Sequence, residues 1–421
     1  MSTALFETAV RPREATRWIQ LLLGLICMMS ISSPQYVWTL FTAPLGKALG
    51  AGAPAIQVTF TILIVLQTFF SPFQAWLIER FGPKLLISTG CALTGLSWVA
   101  AAQAESLWGL YLTYGLLAGL GTGIVYVGVV GLMVAWFPDR RGFAAGLVAA
   151  GYGMGAIATN AGIINSLATE GYAATLQRFG VIIGVVGVVA ALGLRAPPSG
   201  WTVPVVGGRR VMATLRDVDT REMLRNPIFW LMFVMMSLMS TTGLMVTSQI
   251  ASFARDFGIV GLTVFGVAAM TLTLNVDRLC NGLTRPFFGW VSDRIGRENT
   301  MGLAFALEGV AMIVWLLTIS NPVAFVLLSG LVFFGWGEIF SLFPSTLTDT
   351  FGARHATKNY GCLYIAQGIG AIFGGPLAAL LHVYAESWTP VFVVAIACDL
   401  VTAVLALAVL KPMRRRYLAA A

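Results

Sequence analysis

The stretch "LTRPFFGWVSDRIG" (residues 283–296) has a counterpart earlier in the chain, "FFSPFQAWLIERFG" (residues 69–82), at an offset of 214 residues. The two segments share a proline, a tryptophan, an acid–arginine pair and a glycine at matching positions. A second pair, "GLVAAGYGMGA" (146–156) and "GCLYIAQGIGA" (361–371), aligns at an offset of 215 residues. The near-equal offsets indicate that the two halves of the chain are the same unit built twice.

The composition is that of a membrane protein. Of the 421 residues, 57% are hydrophobic and 10% are charged, whereas about a quarter of positions are charged in soluble domains. A mean hydropathy of +0.83 over the whole length excludes a soluble domain with a single anchor. The first apolar run is too long for a cleaved signal peptide, so we expect it to remain as the first helix.

Twelve apolar segments are long enough to cross about 30 Å of hydrocarbon at about 1.5 Å per residue. We therefore predict an all-α membrane protein in which a polar connector (195–227) separates an N-terminal six-helix bundle (1–194) from a C-terminal one (228–421). Parallel six-helix repeats are an architecture of secondary transporters. The predicted spans are 18–42, 55–78, 84–103, 107–136, 143–168, 174–194, 228–252, 262–290, 299–319, 322–348, 357–383 and 388–410.

The basic residues predict the orientation. With the N-terminus in the cytoplasm, 21 of the 26 Lys and Arg lie on that side, and only Lys47, Arg178 and Arg255 lie outside. The positive-inside rule then places both termini in the cytoplasm. The two remaining cations, Arg278 and Arg285, fall inside predicted span eight.

Arg285 is an addition to the repeated scaffold, because its counterpart in the first half is Ser71. A charge at mid-membrane costs about 2.5–3.5 kcal/mol on insertion scales, and such groups usually face a cavity or an ion partner. We interpret Arg285 as the anchor of an anionic solute. The alternative is a structural lock, in which Arg285 pairs with a helix end or an internal carboxylate.

Residues at a similar depth are candidates for the same site. Counted along each helix, Arg285 lies roughly 10 Å from the cytoplasmic end and its side chain reaches further. Other polar side chains come out at about 14–15 Å, namely Glu338, Gln367, Tyr126 and Tyr152. Trp336 and Phe340 flank Glu338 in sequence.

Short segments across nearly the whole chain resemble a known family. The runs "GPK" (82–84) and "SDRIGR" (292–297) are similar to the repeated loop motif of the major facilitator superfamily. More narrowly, a set of segments looks like the oxalate:formate antiporter family, which is related to monocarboxylate transporters. These segments are "QYVWTL" (35–40), "WFPDRRGFAAG" (136–146), "AAGYGMG" (149–155), "RNPIFW" (225–230), "RPFFGWVSDRIGR" (285–297) and "LFPSTLTDTFG" (342–352).

The resemblance implies roles for individual residues. The family uses a helix-eight arginine, matched here by Arg285, and Phe340 stands where the family has a tyrosine. The other positions that match its aromatic cage are Tyr36, Tyr126, Tyr152 and Trp336.

One departure from the family concerns the second cation. The oxalate:formate antiporter has a lysine in helix eleven where this chain has Gln367, so one carboxylate of oxalate would lack a fixed cation. Arg285 alone can grip a single carboxylate through two parallel hydrogen bonds. The predicted function is therefore secondary transport of short monocarboxylates such as lactate, pyruvate or formate, by antiport or proton symport. An oxalate:formate exchanger is the alternative, and a drug or cation efflux pump is disfavoured.

Three further residues of span eight and one of span ten have open roles. Glu338 is either the proton carrier of a symporter or the counter-charge of Arg278 or Arg285. Arg278 either has its charge compensated locally by Asp277 or Glu338, or serves a successive step of substrate binding. Asn281 either orients the Arg285 guanidinium or touches substrate. Glu308 and Asp399, in spans nine and twelve, receive no role.

The repeated loops are predicted gates, in which acids and arginines pair differently in the two access states; the gating residues are Glu79, Arg80, Asp293 and Arg294. No metal site, cofactor or enzymatic chemistry is predicted, since the five cysteines lie in apolar runs without metal-ligand spacing. The expected partners are a small carboxylate and the lipid bilayer, without nucleic acid, and the functional unit is expected to be a monomer.

Overall fold

The computed structural model describes residues 14–198, 201, 213–214 and 216–420. Part of the predicted connector 195–227 that joins the two halves, including Arg209 and Arg210, lies outside the described residues, as do Arg11 and Arg13 of the N-terminal tail. Nearly all of the described chain is helical, as predicted from the apolar composition.

Ten helices belong to the first half of the chain, and a π-helical turn, Tyr111–Leu117, joins α7 to α8. We call them together the first bundle. They are α1 (Glu14–Ser30), α2 (Ser33–Tyr36), α3 (Trp38–Leu49), α4 (Ala53–Phe69), α5 (Ser71–Phe81), α6 (Pro83–Ala101), α7 (Leu107–Leu110), α8 (Ala118–Trp136), α9 (Arg141–Met154) and α10 (Ile157–Leu192).

The short helix α11 (Thr220–Leu224) precedes the second half of the chain. The helices that follow form the second bundle, in which a π-helical segment, Leu405–Leu410, joins α18 to α19. They are α12 (Pro227–Asp256), α13 (Ala269–Ile295), α14 (Arg297–Thr318), α15 (Pro322–Trp336), α16 (Ile339–Phe351), α17 (Ala356–Ala385), α18 (Thr389–Val404) and α19 (Lys411–Ala420).

The helices account for the twelve predicted spans. Nine stretches in the described part of the chain are long and apolar enough to cross a membrane, and the bent pair α4–α5 makes a tenth. One of the nine stretches, 141–192, covers two predicted spans, five and six, because the chain turns at Gly171 with a φ of 83°. Counting that stretch as two gives eleven spans. The twelfth is α13, which is 27 residues long but less apolar because it carries Asp277, Arg278 and Arg285.

Several spans are broken in the middle, which the hydrophobic pattern did not predict. The second span bends by 54° between α4 and α5, where Pro72 at the start of α5 cannot donate a backbone hydrogen bond to the preceding turn. The tenth span is interrupted between Trp336 and Ile339. Such breaks expose backbone groups, and in transporters they occur where helices line a cavity.

The predicted eighth span begins later than residue 262. A two-stranded antiparallel hairpin comes first, with β1 (Thr263–Val264) paired to β2 (Val267–Ala268). Its turn residues Phe265 and Gly266 have φ values of 51° and 78°, as a two-residue hairpin turn requires. The helix therefore starts only at Ala269.

The two bundles meet through backbone contacts at small residues. A Cβ atom added at Gly146 of α9 would lie 2.2 Å from the Arg285 carbonyl oxygen of α13, and one at Gly289 would lie 2.1 Å from the Gly142 carbonyl oxygen. Likewise α17 packs against α4, α5 and α8. Small residues of this kind let membrane helices approach closely.

These contacts concentrate toward one end of the bundles, where α9 begins and α13 ends; we call it the closed end. Beyond Gly155, the chain continues as α10, which packs mainly against α6 and α1 of its own bundle. On α13, Arg278 and Asn275 lie on the side of Arg285 away from the closed end, and both are exposed.

Candidate functional site

Arg285 bridges the two bundles. Its side chain is only 2% exposed. Nη1 donates a hydrogen bond of 2.6 Å to the Ala149 carbonyl of α9, in the other bundle, and Nη2 donates one of 2.8 Å to Oδ1 of Asn281, one turn earlier on α13. The hydrogen bond to Asn281 is the contact expected if this residue orients the guanidinium, which is one of the two roles predicted for it.

The remaining surroundings of the Arg285 guanidinium are apolar or polarisable. Its Cζ atom lies 4.5 Å from the centroid of the Phe340 ring, within the range of a cation–π contact. Gly153 leaves room on the other bundle, since a Cβ there would lie 3.3 Å from Cζ. Within the described residues, no carboxylate lies within 4.0 Å of Arg285, so its guanidinium forms no ion pair in this conformation.

The five aromatic residues named from the sequence form one continuous row. Ring centroids are 5.5 Å apart for Tyr36 and Tyr152, and 5.1 Å apart for Tyr152 and Tyr126. The row crosses into the second bundle where Tyr126 meets Phe340 at 6.3 Å, and it ends at Trp336, 6.2 Å from Phe340. The structure thus brings these residues together beside Arg285.

Two polar residues and a tyrosine complete this row and were missed in the sequence. The ring of Tyr364 in α17 stacks on Tyr126 at 4.8 Å. Nε2 of Gln67 in α4 donates to the hydroxyls of Tyr152 at 3.1 Å and Tyr364 at 3.2 Å, and the Tyr152 hydroxyl donates to Gln35. Gln67 lies in the middle of the predicted span 55–78, and an amide at that depth was the signal available.

Several buried polar atoms in this region have no hydrogen-bond partner among the described residues. Buried polar groups are normally paired, so a group of unpaired ones requires an explanation. Four of the atoms belong to hydrogen-bond donors, and the fifth, Oε1 of Gln367, is an acceptor. They are Nε of Arg285, Oη of Tyr126, Nε1 of Trp336, Nδ2 of Asn281 and Oε1 of Gln367.

The predicted coupling residues occupy different environments. Glu338 is 0% exposed, lies at the break between α15 and α16, and has no partner for either carboxyl oxygen. Asp277 is buried and its oxygens also lack a hydrogen-bond partner, whereas the neighbouring Arg278 is exposed. Within the described residues, no ion pair joins Arg278 to Asp277 or to Glu338.

An ion-pair network joins the bundles at the closed end. Nη1 of Arg141, at the start of α9, donates to Asp349 of α16 at 2.5 Å, and Nε of Arg297 donates to the same carboxylate at 2.8 Å. Arg297 also pairs with Asp293 at 2.6 Å. Arg297 lies in the predicted gate loop 292–297, whereas Arg141 and Asp349 were missed in the sequence because they lie at the ends of separate spans.

Asp293 additionally caps the start of α9. Its two carboxylate oxygens accept hydrogen bonds from the backbone N–H groups of Gly142 at 3.0 Å and Phe143 at 2.9 Å. A negative charge at a helix N-terminus interacts favourably with the helix dipole. This predicted gating residue therefore connects the second bundle to the first.

The other three predicted gating residues lie at the same end but outside that network. Glu79 is 3.4 Å from Nδ1 of His355, which belongs to the second bundle. Arg80 lies over the Trp76 ring at 5.4 Å. In the second half, the repeat counterpart of Arg80, Arg294, lies over the counterpart of Trp76, the Trp290 ring, at 3.9 Å. The two tryptophan–arginine pairs preserve the internal repeat in three dimensions.

Comparison with known proteins connects this arrangement to transporters. The family model for the Major Facilitator Superfamily matches residues 21–280 and 279–419. The oxalate:formate antiporter of Oxalobacter formigenes is 32% identical over 400 residues, which is 95% of this chain and 93% of that protein. Monocarboxylate transporter 13 of Bos taurus is 27% identical and covers 81% of this chain and 78% of its own length.

Solved structures show the same fold. A crystal structure of the major facilitator transporter FucP in the outward conformation matches with a TM-score of 0.70 at 14% identity, covering 93% of this chain and 98% of that one. A crystal structure of a variant of the Escherichia coli fucose:proton symporter FucP matches with a TM-score of 0.69 at 15% identity, covering 92% and 97%. Twelve helices in two bundles are thus the shared architecture.

Proposed function

The chain belongs to the major facilitator superfamily, and from that premise we propose that it carries short monocarboxylates such as lactate, pyruvate or formate across the membrane by alternating access. The general conclusions, a multi-pass membrane transporter that is not an enzyme, agree with the predictions from the sequence. The choice of substrate rests on the site around Arg285.

The Arg285 guanidinium, which has no ion-pair partner among the described residues, and the unpaired hydrogen-bond donors of the aromatic row are the observation that supports an anionic substrate. Nε of Arg285, the Tyr126 hydroxyl and the Trp336 indole N–H have no protein acceptor among the described residues. A carboxylate supplies only acceptors, and it matches the fork of an arginine in two parallel hydrogen bonds. An organic cation would instead meet a positive charge, so a drug or cation efflux pump is disfavoured.

A single negative charge fits the site better than two. Gln367 carries no charge, and its Oε1 has no hydrogen-bond partner among the described residues, so its amide suits a hydroxyl or carbonyl oxygen of the substrate. The second carboxylate of oxalate would have no fixed cation with which to pair. Exchange of oxalate for formate is the second candidate, because the relative from Oxalobacter formigenes bears that name.

Binding at Arg285 would alter a contact between the bundles. In this conformation Nη1 donates across the interface to the Ala149 carbonyl. A carboxylate that accepts hydrogen bonds from Nε and one of the two Nη atoms of Arg285 competes for the guanidinium with its protein acceptors, the Ala149 carbonyl and Oδ1 of Asn281. Occupancy of the site thereby influences the packing of α13 against α9, the pair that must rock during alternating access.

The remaining assignments are part of the same proposal. Both termini and the closed end lie in the cytoplasm, residues 1–194 and 228–421 form the two bundles, and a monomer is the functional unit. Asp293 and Glu79, with Arg80 and Arg294 nearby, act in gating. Transport is exchange or proton symport, with Glu338 as the proton carrier or counter-charge and Asp277 and Arg278 in supporting roles.

Counterflow in proteoliposomes tests the proposed substrate class. Purified protein is reconstituted, the vesicles are loaded with unlabelled formate, lactate, pyruvate or oxalate, and uptake of the radiolabelled acid is measured against empty vesicles. Transient accumulation of at least one monocarboxylate is expected. Counterflow of oxalate alone would favour the second candidate, and counterflow of an organic cation without any carboxylate would contradict the proposal.

A further inference from the structure

Each of the two repeated segments at the closed end carries a stripe of aromatic and cationic side chains that the site around Arg285 does not use. Both stripes have the spacing Phe-x-x-Trp-x-x-x-Arg, which places the three side chains on one face of a helix. All six residues are exposed. We call these residues the aromatic–arginine stripes; they are Phe73, Trp76 and Arg80 of α5, and Phe287, Trp290 and Arg294 of α13.

The α13 stripe lies on the side of the helix opposite to the substrate site. Arg294 follows Arg285 by nine residues, which is about two and a half turns of an α-helix. Arg285 is buried and reaches α9 of the other bundle, whereas Arg294 is exposed. The rings of this stripe, which are 47% exposed for Phe287 and 43% for Trp290, therefore lie on the surface that a membrane span presents to lipid.

The α5 stripe has the same character. Phe73 and Trp76 are exposed, and their rings stack with centroids 5.7 Å apart. Cζ of Arg80 also lies 5.5 Å from the ring of the exposed Phe81. The cation of each stripe is thus set among apolar side chains that face outward, at the end of a membrane span.

The acid that precedes each arginine engages the opposite bundle. Asp293 caps α9 of the first bundle through two backbone N–H groups, and Glu79 lies 3.4 Å from Nδ1 of His355 in the second bundle. The repeated acid–arginine pair therefore divides its work: the acids hold the bundles together, and Arg80 and Arg294 remain on the outer surface.

Neither arginine of the stripes forms an ion pair. Within the described residues, no Asp or Glu side chain lies within 4.0 Å of either guanidinium. Each guanidinium lies over the tryptophan of its own stripe, at 5.4 Å for Arg80 on Trp76 and 3.9 Å for Arg294 on Trp290. An arginine stacked on a ring keeps its N–H groups available to an anion.

A ligand that covers a whole stripe has to be apolar at one end and anionic at the other. The phenylalanine lies seven residues before the arginine in each stripe, which is roughly 10 Å along the helix. Tryptophan is typical of the border between hydrocarbon and headgroups, and a phosphate matches the arginine fork in two parallel hydrogen bonds. A phospholipid has the required chemistry, with acyl chains along the phenylalanine and a phosphodiester at the guanidinium.

The charges favour an anionic phospholipid over a zwitterionic one. A single arginine without an acid partner offsets one negative charge. The choline group of a zwitterionic headgroup would need an acid or an open ring face, but the acid of each pair engages the other bundle and the arginine occupies the ring. A headgroup with a net negative charge brings no such second cation.

We propose that Arg80 and Arg294 each bind the headgroup of an anionic phospholipid in the leaflet at the closed end, with Trp76 and Trp290 orienting the guanidinium. The two lipid sites are related by the internal repeat, one on each bundle. The proposed orientation makes this leaflet the cytoplasmic one, where anionic lipids attract basic side chains. The inference goes beyond the proposed transport function and does not depend on which solute is carried.

Counting bound lipids by native mass spectrometry tests this inference. The protein is extracted from vesicles of equal parts phosphatidylglycerol and phosphatidylcholine, without any transport substrate. The wild type is expected to retain two phosphatidylglycerol molecules in preference to phosphatidylcholine. The double variant Arg80→Gln/Arg294→Gln is expected to bind them about tenfold more weakly, as the loss of a charge-assisted hydrogen bond predicts.

The matched control removes two other exposed cations at the same end. It is Arg221→Gln/Arg225→Gln, in and just after α11, which changes the net charge by the same amount. This control is expected to keep both lipids. Equal loss in the control would show attraction by general surface charge and overturn the inference, as would undiminished retention in Arg80→Gln/Arg294→Gln or equal retention of phosphatidylcholine by the wild type.

Thermal unfolding in detergent separates a lipid from a free anion. Phosphatidylglycerol is expected to raise the Tm of the wild type, since a ligand that binds the folded state stabilises it, while inorganic phosphate at the same concentration leaves it unchanged. Arg80→Lys/Arg294→Lys, which keeps the charges, is expected to recover part of the shift that the glutamine variant loses. An equal rise with inorganic phosphate, or an unchanged lipid shift in the glutamine variant, would contradict the assignment of lipid sites.

Discussion

The Cζ atom of Arg285 lies 4.5 Å from the centroid of the Phe340 ring, so an aromatic face, rather than a carboxylate, supports the buried cation. Such a contact holds the guanidinium in place without neutralising it for the substrate. The aromatic residue belongs to the row that extends through Tyr126 and Tyr152 to the first bundle.

Replacing Phe340 by leucine keeps an apolar side chain and removes the aromatic face. We expect the half-saturating concentration of the monocarboxylate to rise by about tenfold, equivalent to roughly 1.4 kcal/mol of lost cation–π and orienting energy. Initial rates of counterflow over a substrate series measure the change. Phe340→Tyr, which keeps the ring, is the matched control, and an equal loss in both variants would argue against a role for the ring face.

Replacing Gln367 by lysine supplies the second cation that a dicarboxylate needs. The side chain is partly exposed and its Oε1 has no protein partner among the described residues, so a longer cationic side chain can reach the substrate layer. We expect competition assays to show a shift in preference from lactate or formate toward oxalate. Unchanged selectivity would refute the argument from the missing charge, and Gln367→Met, similar in length but uncharged, is the control.

Replacing Asp349 by asparagine breaks the network at the closed end. Arg141 and Arg297 both pair with this carboxylate and are at most 9% exposed, and removing one partner of a buried ion pair costs about 3–5 kcal/mol. The melting temperature of the detergent-solubilised protein is expected to fall clearly. Glu222→Gln removes the exposed ion pair with Arg216 and should change stability by less than about 1 kcal/mol; equal effects would contradict the assigned importance of Asp349.

Replacing Gly289 by alanine is expected to separate the bundles at the closed end. The new Cβ would lie 2.1 Å from the Gly142 carbonyl oxygen and 3.0 Å from the Phe143 nitrogen, and backbone atoms cannot move aside as a flexible side chain can. Counterflow should therefore be lost while the protein still elutes as a folded species. Gly375→Ala, whose Cβ would meet its nearest atom at 3.5 Å, should transport normally. Normal transport by Gly289→Ala would show that this close approach is not needed.

The overall architecture was predictable because the bilayer imposes it. Only helices or closed barrels satisfy the backbone in hydrocarbon, so apolar length alone locates the spans. The repeat between 69–82 and 283–296 indicated two equivalent halves, and the tryptophan–arginine stacks of Arg80 and Arg294 confirm that equivalence. The interruptions near Phe70, Gly155 and Glu338 were not predictable, because a helix break depends on which helices pack around it.

The candidate site was partly predictable for a related reason. A cation such as Arg285 inside an apolar span is conspicuous, and the family resemblance supplied the aromatic residues that the structure places in one row. Gln67 escaped attention because a neutral amide in an apolar span is a weaker signal. The pairing of Arg141 with Asp349 was also missed, since the two residues are 208 positions apart and no local spacing relates them.

Transport by an Arg285 variant tests the central claim most directly. Counterflow of labelled formate, lactate and pyruvate is compared for wild type, Arg285→Gln and the control Arg255→Gln, which removes an exposed cation of α12. We predict that Arg285→Gln loses counterflow of every monocarboxylate that the wild type carries, while Arg255→Gln retains it. Wild-type rate and affinity in correctly folded Arg285→Gln would contradict the assignment of Arg285 as the carboxylate anchor.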